Sequence, residues 1–256
     1  MDASKAMYRS PSVTEEKAAG NKRLQWHLLL QIAAADAVLW VFPDLALKSL
    51  GTVYGLGAVE TGGFAVFASI LFILVMMNAA AAAGRAGLSR STALIAFSAY
   101  AFLAWMVQAT TVLYVSLGSA LLLSVLHLTP AIQLRGRIEN MALGLLLAAT
   151  ALGLVESSSG TVSFPAALMV LGYPVVNILG VAVKRMLRGG SPYVHDRSHM
   201  HDVMISAGKK RADIRIYSIG ISVICALVAV AAVVAGLSDV MLYAVMAGIL
   251  IIFVLG

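Results

Sequence analysis

Hydrophobic residues along this chain of 256 residues come in long blocks separated by short polar connections. After a polar lead-in over 1–23, apolar blocks cover about 26–42, 64–83, 92–128, 141–155, 164–183, 216–237 and 240–255. Such blocks suit helices crossing a hydrocarbon core ~30 Å thick, which takes about 20 residues. The block 92–128 has 37 residues, too many for one helix and enough for two, and is expected to break near Gln108–Thr111. Pro130 closes that hairpin, and SSSGTVS turns the chain between the fifth and sixth helices. Eight helices are predicted, the first carrying Trp26 and Trp40 near its ends as interfacial aromatics. The expected fold class is all-α: a polytopic membrane protein of about eight transmembrane helices, without an internal repeat.

Composition agrees with the blocks. The chain is 61% hydrophobic and 12% charged, against roughly 25% charged residues in soluble domains. The net charge of +6 matters through its placement, because Lys and Arg gather on the cytoplasmic side. With the N-terminus inside, every Lys and Arg except Lys48 falls in a cytoplasmic segment, which supports eight spans with both termini inside. Residues 1–23 then form a cytoplasmic N-terminal segment. Residues 24–256 form one transmembrane helical domain with a cytoplasmic loop at 184–215. The polar start does not suit a cleaved signal peptide. The single cysteine, Cys225, excludes an intrachain disulfide.

Few polar groups interrupt the spans. Asp36 sits mid-span, either as a proton site or, on the more ordinary reading, as a helix contact or a protonated acid facing a cavity. Glu139 and Glu156 lie at opposite ends of the fifth helix, where solvated ends account for them. His27 and His127 flank spans as interfacial residues. Ala79–Ala83 with Gly84 and Gly87 permits close helix packing.

The segment Lys184–Arg215 is where chemistry concentrates, with eight of the eighteen Lys and Arg and three of the five His. Three readings compete. Its cations contact anionic lipid headgroups. Alternatively His195, His199, His201 and Asp202 ligate a metal, although their spacing matches no strong zinc signature. Or the Gly-Gly-Ser-Pro turn, Arg197 and the histidines bind a phosphate or pyrophosphate at the bilayer surface.

The stretch RGGSPYVHDRSHMHDVMISAG resembles the last cytoplasmic loop of the polyprenyl-phosphate N-acetylhexosamine-1-phosphate transferases (bacterial glycosyltransferase family 4). Ser191, Pro192, Asp196, Arg197, His199 and His201 match that loop. His195 stands where the family often has proline, and Asp202 replaces the last histidine of its HLHH. The similar frame extends from roughly Glu15 to the C-terminus. The resemblance implies an enzyme that moves a sugar 1-phosphate onto a polyprenyl phosphate with Mg²⁺ held by cytoplasmic acidic groups.

This chain departs from the family at those acidic groups. Where the family has an Asn/Asp motif ending in Asp-Gly-Leu, this chain reads NAAAAAGRAGL, keeping Asn78, Gly87 and Leu88 and placing Arg85 there. At the Leu-Gly-Asp position stand Arg135, Gly136 and Arg137, and a family aspartate of the sixth span is Asn177. The early acidic pair is matched by Glu15–Glu16 at a two-residue offset, without the family helices before it. An Arg in place of a metal-binding carboxylate repels Mg²⁺ by several kcal/mol at ~4 Å and an effective dielectric near 20. Fixed guanidinium groups can themselves hold a lipid phosphate without metal.

The expectation is a truncated, catalytically degenerate relative in cell-envelope polysaccharide or glycolipid assembly. It would sit as a multi-pass protein in the inner (cytoplasmic) membrane. Arg85, Arg137, Arg197, His199 and His201 would line an anionic lipid or phosphate site, with Ser191, Pro192 and Asp196 positioning the loop. The expected partners are a membrane lipid, polyprenyl phosphate above all, and a membrane-protein partner or dimer. Nucleic acid is not expected, and neither is a cofactor. Two alternatives remain. An active transferase would use Mg²⁺ with Glu15, Glu16 and Asp196. A structural or transport subunit would inherit only the fold.

Overall fold

The computed structural model describes residues 62–85, 88–128, 137–189 and 199–255, and all secondary structure among them is helical. In chain order the helices are α1 (Gly62–Arg85), α2 (Ser89–Met106), α3 (Thr110–Leu128), α4 (Arg137–Ser157), α5 (Phe164–Val170), α6 (Gly172–Leu187), α7 (Met200–Ser206), α8 (Arg211–Ala235) and α9 (Asp239–Leu255). The expected first span, the N-terminal segment, Asp36 and Lys48 lie outside the described residues.

Small residues set the closest approach. The Gly144 backbone of α4 lies against Met76 of α1, where a Cβ would overlap the Met76 carbonyl, and the Gly84 backbone lies against the Asn140 side chain. These two contacts run α1 and α4 in opposite directions. Without a hydrophobic drive between helices in lipid, such close approach supplies the van der Waals contact that holds them. The α2–α3 hairpin is closed at one end by Gln108. Its φ of 59° lets Ala109 N–H reach the Ala104 carbonyl at 2.8 Å, a left-handed helix stop. This is the break expected near Gln108–Thr111. At the hairpin's other end the Arg90 guanidinium donates to the Leu126 carbonyl at 3.1 Å, satisfying a terminal acceptor of α3.

The sixth span departs from expectation. It is two helices, α5 and α6, bent by 91° at Leu171. The cause is Pro174, which has no N–H for the Val170 carbonyl and whose ring excludes a continuous helix there. Burial makes the break tolerable, because α5 is enclosed by α2, α4, α8 and α9. The Ala167 carbonyl accepts the buried Tyr100 hydroxyl at 2.9 Å. The core gathers around this kink, with Phe72 edge-on to Phe164 at 5.3 Å.

The number of spans also differs. By length and composition α4 and α8 can each cross a membrane, and the bent pair raises the total to three among the described residues. That is fewer than the eight expected. The described apolar stretches Ser69–Gly84, Thr110–Leu126 and Asp239–Val254 are shorter. At 1.5 Å per residue a 17-residue helix rises about 25 Å, short of a full hydrocarbon core.

Candidate functional site

The described parts of the segment 184–215, residues 184–189 and 199–215, are mostly helical. α6 runs on to Leu187, α7 forms within it, and α8 begins at Arg211, earlier than the expected start at 216. Gly208 closes α7 at a φ of 78°, with Lys209 N–H on the Met204 carbonyl at 3.0 Å. Asp213 accepts the Lys210 N–H at 3.3 Å, a carboxylate in the first turn of α8 where the helix dipole favours it.

What docks α7 is a small set of side chains. Asn177 of α6 accepts the Met200 N–H through Oδ1 at 3.0 Å, satisfying an N-terminal donor of α7 that would otherwise lack an acceptor. Met200 and Met204 pack on a cluster of Ala83, Leu88, Tyr173 and Ile214. The Tyr173 and Ser218 hydroxyls share a hydrogen bond of 2.9 Å, while Ser218 donates to the Ile214 carbonyl at 2.8 Å. The C-terminal end of α1, the start of α8 and the first turn of α6 therefore meet under α7.

The two family-like histidines come together there. His199 stands at the residue before α7 and His201 is the second residue of that helix. Both are buried, with 7% and 2% of their surface exposed. Their rings lie parallel, 4° apart in plane with centroids 5.5 Å apart. Asp202 Oδ2 is 3.6 Å from His201 Nε2. Paired imidazoles can donate to anionic oxygens or exchange a proton, according to which nitrogens carry hydrogen.

Arg137 opens α4 and is exposed. Arg85 ends α1, with its side chain outside the described residues. Because Gly84 rests on Asn140, one turn beyond Arg137, the backbones of Arg85 and Arg137 belong to the same end of the α1–α4 pair. Asn78 lies two turns back and donates to the Leu74 carbonyl at 2.8 Å, within its own helix. Ser191, Pro192, Asp196, Arg197, His195, Glu15 and Glu16 lie outside the described residues.

Asn140 was missed by sequence reasoning. It is 2% exposed at the start of α4, and its only signal was a polar residue opening an apolar run. For the metal, Mg²⁺ seeks carboxylate and water oxygens. Among the described residues no three His, Cys, Asp or Glu side chains gather to hold an ion. The buried polar groups near the C-terminal end of α1 and under α7 include the neutral amides Asn140 and Asn177.

Comparison with known proteins gives one consistent relationship. The chain is 26% identical over 189 residues to undecaprenyl-phosphate alpha-N-acetylglucosaminyl 1-phosphate transferases of Escherichia coli and Shigella flexneri. The match covers 69% of this chain and 50% of those proteins, so it spans about half the length of the curated relatives. No protein-family model matches the chain. No solved structure matches it significantly. The similarity supports a relationship to the polyprenyl-phosphate sugar-1-phosphate transferases, and the apolar helices fit a membrane protein of that kind.

Proposed function

We propose that this chain is a catalytically degenerate relative of the polyprenyl-phosphate sugar-1-phosphate transferases that still binds a polyprenyl phosphate or pyrophosphate. It would act in cell-envelope polysaccharide or glycolipid assembly from the cytoplasmic membrane, as a multi-pass protein of about eight spans with both termini inside. The observation that carries this reading is the buried, parallel pair His199–His201, on a helix whose Met200 N–H is held by an amide, Asn177. In this reading Arg85 and Arg137, at one end of the α1–α4 pair, supply the positive charge that a metal would otherwise bring. Arg197 adds a fork of donors, and Ser191, Pro192 and Asp196 shape the turn that presents it.

An apolar cavity of about 230 Å³ adds support. Met200, next to His199, lines it together with Tyr173 and Val176 of α6 and Ile249 of α9. In this reading the anionic head sits beside space for the first units of an isoprenoid tail. The similarity to proteins that bear a transferase name favours a second reading. There the chain is an active transferase, with Glu15, Glu16 and Asp196 holding Mg²⁺.

A transferase assay with the purified protein, UDP-N-acetylglucosamine, undecaprenyl phosphate and Mg²⁺ separates the two. The proposal expects no lipid-linked sugar phosphate above a protein-free control. Robust turnover that disappears in His199→Ala would establish the second reading instead.

A further inference from the structure

Building on the lipid-phosphate reading, we propose that Lys184 and Phe253 form a gate on the apolar cavity, one that an anionic head group releases. Phe253 lines the cavity from α9, and its ring lies directly on the Gly180 backbone, where any Cβ would overlap it. One turn further along α6, the Lys184 ammonium stands over the same ring, 4.9 Å from its centroid. The ring is thus clasped between a bare stretch of helix and a cation.

The clasp shares a helix face with the docking of α7. Tyr173, Asn177, Gly180 and Lys184 follow one another at spacings of four, three and four residues, which aligns them on one side of α6. Asn177 holds the Met200 N–H, and Met200 lines the same cavity as Phe253. Lys184 is two turns from Asn177, about 10 Å along the axis, and a lysine stem covers much of that distance.

An ammonium is drawn to a ring face by its quadrupole, but a phosphate oxygen offers a full opposite charge and a charge-assisted hydrogen bond. A phosphate arriving beside α7 therefore takes Lys184 from the ring. Phe253 is then left with apolar contacts alone and can swing off Gly180, widening the half-open cavity for the chain attached to that phosphate. A neutral prenyl alcohol has nothing with which to draw the lysine away. The gate selects phosphorylated chains over their alcohols, beyond what head-group contacts provide.

The test places one 4-fluorophenylalanine at position 253 of the full chain in nanodiscs and follows its fluorine resonance. Farnesyl phosphate is expected to move the resonance, whereas farnesol at the same concentration leaves it in place. Lys184→Gln is expected to shift it toward the ligand-bound position without any ligand, and Lys184→Arg, which keeps a cation over the ring, is not. A wild-type resonance that farnesyl phosphate does not move overturns the gate. If native mass spectrometry still detects the lipid bound, the lipid-phosphate reading survives that result. If it detects none, both readings fall.

Discussion

An amide can satisfy a backbone donor in an apolar surround, where a carboxylate would bring a charge that burial penalises. Asn177 uses this property on the Met200 N–H. Truncation leaves that donor of α7 without its partner, a loss of about 1–3 kcal/mol for a buried group. Asn177→Ala is therefore expected to loosen α7, and trypsin should cut faster at Lys209 and Lys210 while the cleavage of other sites stays unchanged. Equal rates in the two proteins would show that α7 is held by its methionines alone. At this scale the sequence was informative about residue type and less so about surroundings. His199 and His201 could be picked out from motif spacing, but not their parallel stacking, which depends on α7 turning where a loop was expected. Arg137 drew attention as a charge reversal, yet the buried group at that helix start is Asn140. Burial depends on Gly84, more than fifty positions earlier in the chain, and no local pattern carries that pairing.

Among the elements, α1 and α4 show what small residues do. Gly144 has no room for a side chain beneath the Met76 carbonyl, so Gly144→Leu must push two backbones apart. Overpacking of this kind costs about 1–3 kcal/mol, and a melting temperature lowered by several degrees in detergent is the expected result. An unchanged melting temperature would mean that the two helices are not held this closely. The helix stop at Gln108 was legible because a 37-residue apolar run has to turn somewhere. The 91° bend at Leu171 was not, although Gly172 and Pro174 were in plain view. A proline in the first turn of a helix and one that breaks a span look alike in sequence. What decides between them is whether neighbours can satisfy the freed carbonyls. Here Tyr100, sixty-seven residues away, satisfies one of them.

On the scale of the whole molecule, the described helices present apolar surface outward, with Tyr114, Leu121, Ile224 and Val240 among the exposed side chains. In water such a surface would drive association. Against lipid tails it is the surface a membrane protein needs, as the composition already implied. Exposed Trp105 and Tyr114 lie on either side of the turn between α2 and α3, where interfacial aromatics are expected. At the opposite end of that hairpin, Arg90 and Leu126 lie on the side of the chain where Leu88 joins the cluster beneath α7. The paired histidines thus stand at the end of the hairpin that carries Arg90, opposite those aromatics. The central claim is that this end retains a lipid-phosphate site. Native mass spectrometry of the purified chain with undecaprenyl phosphate tests it most directly, with undecaprenol as the neutral control. The expected result is a saturable one-to-one complex with the phosphate alone, weakened about tenfold or more in His199→Ala/His201→Ala, as the loss of charge-assisted hydrogen bonds implies. A chain that binds neither lipid, or that binds the phosphate equally well without both imidazoles, would contradict the claim.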